Sequence, residues 1–498
     1  MQNTSTQSPP PTVRRPLVLA AVMLASFMIA IEATIVSTAM PQIAGQLGQL
    51  QYYAWVFSSF LLAQTATTVV FGKLADLYGR RSVLLAGIGI FLLGSVLCGF
   101  AWSMPALILF RLIQGLGAGA IQPVSITVIG DLYATPERGK VQGWLASVWG
   151  ISSVIGPLAG GLIIQHLSWA WIFWINVPIG LAAAAGFFLF LRERVSTQER
   201  SVDVLGAGLF TVTIAALMVA LTEIGVMGSR MAPLALAVCV IAGISFVAQE
   251  RRARDPMIAF ALWTRRAIAA TNAATLFSGM AVIGLTTFLP MYVQAVMSRS
   301  PLEAGFMLTA MVLGWPIAAT LGARNFARFG LRPILIFGAA LLPVGAIPFV
   351  LLTPTTPPLV AGLGSLIMGF GMGFLSTAAI VLIQDSVGWE ERGAATASNL
   401  FARNLGSTLG AAVLGALLNA SLARDHSGSL QQVQELLQSR GASIGAAASR
   451  AGLAHGLHLT FLGVLVIALA SLALSALVPR VTFGAGAKRH EAVPPTHS

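Results

Sequence analysis

The chain has 498 residues, of which 56% are hydrophobic and only 9% are charged, and its formal net charge is +12. Soluble domains carry about 25% charged residues, so this composition excludes a large globule surrounded by water. Apolar runs of about 20 residues recur along the chain, whereas the alternating ten-residue segments of a membrane barrel are missing. The predicted fold class is therefore an all-α polytopic membrane protein.

The apolar runs divide the chain into fourteen predicted membrane spans. The run that ends at Met40 exceeds the roughly 7–15 apolar residues of a signal peptide, so we expect a retained first span. In chain order the spans are 16–40, 53–71, 82–102, 105–127, 141–165, 171–191, 204–224, 232–248, 267–291, 302–321, 333–352, 359–383, 394–418 and 457–478. Most of the 29 lysines and arginines then fall on one side, which the positive-inside rule makes the cytoplasm. We expect a multi-pass protein of the cytoplasmic (inner) membrane with both termini cytoplasmic.

A degenerate repeat indicates two related halves. GKLADLYGRR follows span two, and a weaker copy, ARNFARFGLRP, follows span ten, with Gly79 aligned to Gly330. Repeated halves with a substrate site at their interface are a common transporter architecture. The predicted segments are a cytoplasmic tail at 1–15, a six-helix bundle at 16–191, a cytoplasmic linker at 192–202, two inserted helices at 203–249, a second six-helix bundle at 250–480 with an outer loop at 423–455, and a cytoplasmic tail at 481–498. The sequence LQQVQELLQSR suggests a short amphipathic helix inside that loop.

Two ionisable residues, Glu32 and Arg111, lie inside long apolar spans. A charged group at membrane depth costs at least about 2.5 kcal/mol, so each is a candidate functional residue. Glu32 lies 16 residues into span one, and Arg111 lies six residues into span four, which runs the opposite way. At about 1.5 Å per residue their depths coincide. We therefore expect a Glu32–Arg111 pair, direct or through water, that takes part in transport; a static buried ion pair is the alternative.

The loop after span two carries a turn and a charge cluster. Gly72 and Gly79 allow a tight turn, and Asp76, Arg80 and Arg81 can form a network of charge pairs at the inner face. A functional charge network is favoured over a solvated loop that only sets topology, because the positive-inside rule needs no aspartate there.

These segments resemble motifs of the major facilitator superfamily, and in particular of its fourteen-span drug:proton antiporter family (EmrB/QacA-type). The motifs that carry the resemblance are IEATIVSTAMP around Glu32, GKLADLYGRR, LILFRLIQGLGAGAIQP around Arg111 and GISSVIGPLAGG in span five. The chain departs from the family pattern in having Glu32 and Ser37 where Asp and Asn are usual. The resemblance implies a major facilitator fold of 14 transmembrane helices, that is, two six-helix bundles plus two inserted helices.

The span-five segment resembles the antiporter motif of the superfamily, which accompanies export. Its matching residues are Gly150, Gly156, Pro157, Gly160 and Gly161. Glycines that serve only close helix packing are the alternative.

The resemblance implies proton coupling through Glu32 and Arg111, and it implies that the loop Gly72–Arg81 latches the halves when the inner gate is shut. The expected function is export of lipophilic drugs or toxic compounds by drug:proton antiport with alternating access. The alternative is a narrow-specificity metabolite exporter or an importer of the same fold. A membrane enzyme or scaffold would need a catalytic cluster or a soluble domain, and the sequence contains no phosphate-binding glycine loop, HExxH or GxSxG motif.

The expected driving force is the proton gradient, with no cofactor and no metal site. The expected partners are a small lipophilic substrate, protons and membrane lipid, with no nucleic acid, and a periplasmic adaptor protein if the cell has two membranes. Beyond Glu32 no carboxylate lies deep in a span, which favours neutral or weakly charged substrates. Arg403 is expected near the inner end of span thirteen in a structural role. Candidates for the substrate cavity are Gln64, Gln114, Trp149, Phe288, Tyr292 and Trp315.

Overall fold

A computed structural model of the chain describes residues 15–133, 135–191, 203–223, 231–253, 260–387, 392–424 and 446–479. Every regular element in these ranges is helical. The α-helices are α1 (Arg15–Leu47), α2 (Tyr53–Tyr78), α3 (Arg80–Gly99), α4 (Met104–Leu132), α5 (Thr135–His166), α6 (Trp171–Trp174), α7 (Asn176–Phe190), α8 (Val204–Glu223), α9 (Met231–Arg252), α10 (Phe260–Trp263), α11 (Arg266–Met291), α12 (Pro301–Phe329), α13 (Leu331–Val350), α14 (Pro358–Asp385), α15 (Arg392–Arg424) and α16 (Ala446–Ala476). A short 3-10 turn precedes α2, and a π-helical turn, Tyr292–Val296, continues α11.

The fold class is confirmed. Within the described residues, thirteen helical segments are long and apolar enough to cross a membrane, and α8 adds a shorter apolar stretch, Leu205–Leu221. The predicted tails lie outside the described residues except for Arg15. The linker and residues 425–445 of the predicted outer loop, which include LQQVQELLQSR, also lie outside them.

Most helices begin or end a few residues away from the predicted span boundaries. Helix α1 continues through Pro41 to Leu47, because buried packing around Pro41 and Ile43 outweighs the helix-ending tendency of proline. Span six is confirmed as one apolar segment, Trp171–Phe190, in which the turn residue Ile175 separates α6 from α7. Pro178 has no backbone N–H to donate to the carbonyl of Trp174, which accounts for the break.

The repeat is visible in the backbone. Gly79 joins α2 to α3 with φ 85° and ψ 147°, and Gly330 joins α12 to α13 with φ 83° and ψ 165°. A residue with a Cβ rarely adopts such positive φ values, which explains why both junctions contain glycine. The aligned glycines therefore make the same single-residue junction in both halves.

The helices pack as two groups with a third pair beside them. Helices α1–α7 pack among themselves and are called the N bundle here; helices α11–α16 do the same and are called the C bundle. Helix α8 lies against α2 of the N bundle and α15 of the C bundle, and α9 packs on α8. The ring of Phe210 on α8 lies 5.3 Å from that of Phe401 on α15, so the inserted pair is attached where the two bundles meet.

Among the described residues, the largest buried core shared by the two bundles lies at one end of the molecule, and a smaller cluster joins α2 and α15 through α8. At the end where α1 finishes, residues of both bundles, among them Ile35, Tyr53 and Phe288, belong to one buried cluster. At the end where α1 begins, the N bundle has its own buried cluster around Leu84 and Phe91, and the C bundle has another around Leu335. The bundles thus close on each other at the first end, called the sealed end below, and have separate cores at the opposite end.

Candidate functional site

The candidate site is a buried ion pair inside the N bundle. Glu32 on α1 and Arg111 on α4 are 0% and 3% exposed, and Oε1 of Glu32 pairs directly with Nη1 of Arg111. Glu32 and Arg111 therefore lie at the same depth, as the sequence predicts, and are in direct contact. Both residues come from helices of one bundle, so the pair lies inside that bundle and not between the two.

Arg111 makes further contacts that fix its guanidinium. Nε donates to the carbonyl of Val56 on α2 at 3.2 Å, and Nη1 also donates to Oε1 of Gln114 at 2.6 Å. The guanidinium carbon lies 4.2 Å from the centre of the Phe60 ring, a cation–π distance. A planar guanidinium with five N–H groups can donate hydrogen bonds to α1, α2 and its own helix at once. An ammonium group could not do this in the same geometry.

Two partners in this network were missed by the sequence analysis. Asn176, the first residue of α7, is fully buried and donates from Nδ2 to Oε2 of Glu32 at 2.6 Å. Ser95 on α3 accepts from Nε2 of Gln114 at 2.8 Å. The signal that could have identified Asn176 is its position in WINVPIG, since a polar amide beside a proline break inside an apolar span needs a buried partner.

The ion pair lies next to the contacts that close the sealed end. On α1, Ser37 donates to the carbonyl of Thr286 on α11, and the carbonyl of Thr38 accepts from Nε2 of Gln294 at 2.8 Å. On α2, the hydroxyl of Tyr53 donates to the carbonyl of Thr287 at 3.1 Å. Helices α1 and α2 therefore carry both the partners of Arg111 and the hydrogen bonds that hold the two bundles together.

Helix α5 connects the bundles through the glycines of its motif. A Cβ placed on Gly156 would lie 2.0 Å from Oγ1 of Thr34 on α1, and one placed on Gly161 would lie 3.2 Å from the Cβ of Leu302 on α12. Gly160 faces Ile35, and Pro157 contacts Gly305 of α12. A Cβ on Gly150, in contrast, meets no described atom within 4 Å. Four of the five motif residues thus pack α5 against α1 and α12 at the sealed end.

The predicted inner-gate residues lie at the opposite end, around the junction of α2 and α3. Gly79 makes the junction itself, and the guanidinium of Arg81 lies over the ring of Phe188 on α7 at 4.7 Å. Arg80 begins α3, and Gly72 lies inside α2. The side chain of Asp76 lies outside what the structure describes, so the proposed charge network remains a prediction.

The six cavity candidates lie in five different surroundings. Phe288 and Tyr292 are fully buried in the shared core of the sealed end, and Gln114 is fully buried in the Arg111 network. Gln64 is largely buried on α2, whereas Trp149 on α5 is exposed. Trp315, in the middle of α12, is half-buried beneath the guanidinium of Arg403. The structure does not bring these six side chains together.

Among the described residues no group of three or more histidine, cysteine, aspartate or glutamate side chains could hold a metal ion. Cys98 is buried close to Gln114, and Cys239 lies on α9. Charge in the described site is therefore supplied by Glu32 and Arg111.

Comparison with known proteins agrees with this architecture. A sequence model of the Major Facilitator Superfamily matches residues 22–411. The chain is 35% identical over 410 residues to "Multidrug transporter protein MdtP" of Bacillus subtilis (strain 168), covering 82% of this chain and 76% of the relative. It is 34% identical over 401 residues to "Multidrug resistance protein 3" of the same organism, covering 80% and 78%.

A solved structure has a similar fold at low sequence identity. It is that of a bacterial homologue of the human lysosomal transporter Spinster, in an inward-facing and occupied conformation. It matches with a TM-score of 0.66 and 16% identity and covers 94% of this chain and 97% of that chain. At this identity the likeness concerns the fold alone.

Proposed function

Because the chain belongs to the Major Facilitator Superfamily, we propose that it is a proton-coupled secondary transporter that exports small lipophilic compounds by alternating access. Within that superfamily we place it in the fourteen-span drug:proton antiporter group. We orient it in the cytoplasmic membrane with the sealed end facing outward, as the distribution of lysine and arginine favours. The observation that carries the proposal is the Glu32–Arg111 pair, fully buried in a membrane bundle next to the contacts that seal one end.

The chemical step assigned to Glu32 is the binding and release of one proton. In the ionised form its two oxygens accept from Arg111 and Asn176. Protonation removes the charge that stabilises the guanidinium of Arg111, which then keeps Val56 and Gln114 as neutral partners. An unpaired cation at membrane depth is costly, so protonation favours a rearrangement of α1 relative to α4.

That rearrangement acts on the sealed end because α1 and α2 carry both the partners of Arg111 and the hydrogen bonds to the C bundle. Ser37 lies five residues after Glu32 on α1, about 8 Å along the helix, and Tyr53 lies one turn before Val56 on α2. A shift of either helix strains the hydrogen bonds to Thr286 and Thr287 of the C bundle. Proton binding and opening of the sealed end are thereby coupled over a short distance, as a two-state exchange requires.

Two observations support export of lipophilic compounds. The relatives at 34–35% identity are named as multidrug transporter and multidrug resistance proteins. The glycines of α5 allow it to lie close to both α1 and α12, so small shifts of α5 can pass between the bundles. We extend the function in those names to this chain as part of the proposal.

The test is transport in proteoliposomes that contain the full chain, under an imposed pH gradient. The substrate is a neutral boron-dipyrromethene dye, the methyl ester of a carboxylate-bearing parent dye. We expect gradient-driven movement with the wild type and none with Glu32→Gln, which keeps the shape of the side chain but cannot ionise.

The matched control is Glu303→Gln on α12. Glu303 caps the start of its helix through Ser300 and is 40% exposed at its side chain, and glutamine can fill the same capping role. This variant should transport as the wild type does. Gradient-driven transport that survives Glu32→Gln would reject the proton site, and a wild type that moves no dye would reject export of lipophilic compounds.

A further inference from the structure

A second arginine at membrane depth, Arg403, has no counter-ion among the described residues. Arg403 on α15 is half-buried, and its guanidinium carbon lies 5.9 Å from the centre of the Trp315 ring on α12. In the part of the chain that the structure describes, no carboxylate and no hydrogen-bond acceptor pairs with this guanidinium. Its surroundings therefore differ from those of Arg111, which has a carboxylate, a carbonyl and an amide as partners.

Trp315 lies at the middle of α12, and Arg403 lies about a third of the way along α15. Arg403 is eleven residues after the start of α15, about 17 Å along, and Trp315 is fourteen residues after the start of α12, about 21 Å along. Within the apolar segments Ala395–Ala423 and Pro301–Phe326, Arg403 lies eight residues, about 12 Å, after the start, and Trp315 lies eleven residues before the end. Neither is in the first or last turn, where a long cationic side chain reaches the membrane surface most easily. An unpaired cation at this depth is expensive to maintain, which makes a functional role the leading explanation.

The helix phase directs Arg403 into the interior. Phe401 and Leu405 lie on the face of α15 that packs beside α2 and α8. At about 100° per residue, Arg403 lies roughly opposite both of them. Its backbone carbonyl closely approaches Gly279 on α11, and its side chain reaches toward α12, which packs mainly on α14 and α5. The guanidinium thus lies between α15 and α12.

We propose that Arg403 and Trp315 form a substrate subsite for the anionic group of a lipophilic compound. A guanidinium offers paired N–H groups that match the two oxygens of a carboxylate or sulfonate, and Trp315 supplies an aromatic surface for the adjoining apolar part. This assignment rests on the proposed export function and narrows its substrate class. It replaces the expectation of a structural role for Arg403, and it selects compounds with a negative charge over the neutral ones favoured by the sequence.

The test compares one dye in two charge states. Binding of the carboxylate-bearing boron-dipyrromethene dye and of its neutral methyl ester is measured by fluorescence polarisation on the full chain in lipid nanodiscs. The wild type should bind the carboxylate at least about tenfold more tightly, as expected for charge-assisted hydrogen bonds in a site of low polarity. Arg403→Gln should reduce carboxylate binding to the level of the ester and leave ester binding unchanged.

Arg324→Gln is the charge-matched control. Arg324 is exposed on α12 nine residues after Trp315, so its loss removes one positive charge outside the proposed subsite. This variant should keep the preference for the carboxylate. The proposal is overturned if the wild type binds both dyes alike or if Arg403→Gln retains the preference. The comparison of the two dyes on the wild type does not depend on whether a variant folds. Transport of the ester under a pH gradient tests the proposed export function separately.

Discussion

Arg111 holds the buried network together, because its guanidinium contacts α1 through Glu32 and α2 through Val56. The pair could be predicted from the sequence, since two opposite charges in apolar spans are conspicuous and their depths follow from helix geometry. The position of Asn176 in WINVPIG indicated that its amide needs a buried partner, but not that the partner is Glu32, because that contact depends on how α7 is placed against α1. That no described residue pairs with Arg403 could not be predicted either, because it depends on how α12 and α15 are placed.

Removal of Arg111 alone should leave a buried carboxylate without its counter-ion. We expect Arg111→Met to lower the free energy of unfolding by about 3–5 kcal/mol, as for other broken buried ion pairs. The double variant Glu32→Gln/Arg111→Met should recover most of that loss, because neither charge remains. Thermal unfolding in detergent would measure both, and equal losses in the single and double variants would contradict the account of a coupled pair.

At the scale of helices, α5 illustrates what a motif can and cannot predict. Its glycine pattern correctly indicated a helix face suited to close packing, but not which neighbours the face would meet. The structure places α1 at Gly156 and Gly160 and α12 at Gly161. Span six shows the reverse case, because here the sequence predicted the helix but not its local geometry. The missing N–H of Pro178 determines where α6 and α7 are separated.

Two glycine substitutions in α5 should have opposite effects. Gly156→Ala should destabilise the protein by about 1–3 kcal/mol, because the new methyl group overlaps Thr34. Gly150→Ala in the same helix has open space and should be neutral or stabilise by up to about 1 kcal/mol through higher helix propensity. Unfolding midpoints in detergent would compare them, and equal effects would show that α5 and α1 are not in close contact.

At the scale of the whole molecule, the separate cores at one end and the shared core at the other correspond to one state of the alternating-access cycle that we propose. The fold class and the repeated halves could be predicted, because hydrophobicity and the glycine at each repeated junction are local signals. Which end is sealed could not be predicted, because both states have the same sequence and differ only in the contacts between bundles.

A cross-link at the sealed end should stop the cycle. The Cβ positions at 161 and 302 lie 3.2 Å apart, close to the range of about 3.5–4.5 Å found in disulfides. With Cys239 replaced by serine, Gly161→Cys/Leu302→Cys should lose dye transport on oxidation and regain it on reduction. The two single-cysteine variants should be insensitive to oxidant. Unchanged transport by a fully oxidised pair would show that the sealed end need not open.

The most direct test of the central claim asks whether the charge of Glu32 controls the seal. Spin labels at Trp102→Cys and Leu351→Cys would report the distance between exposed positions of the N and C bundles at the sealed end, in a chain without its two native cysteines. The wild type should show a change in the distance distribution between mildly alkaline and mildly acidic solution. Glu32→Gln should show the same distribution at both. An equal change in wild type and variant would contradict the account.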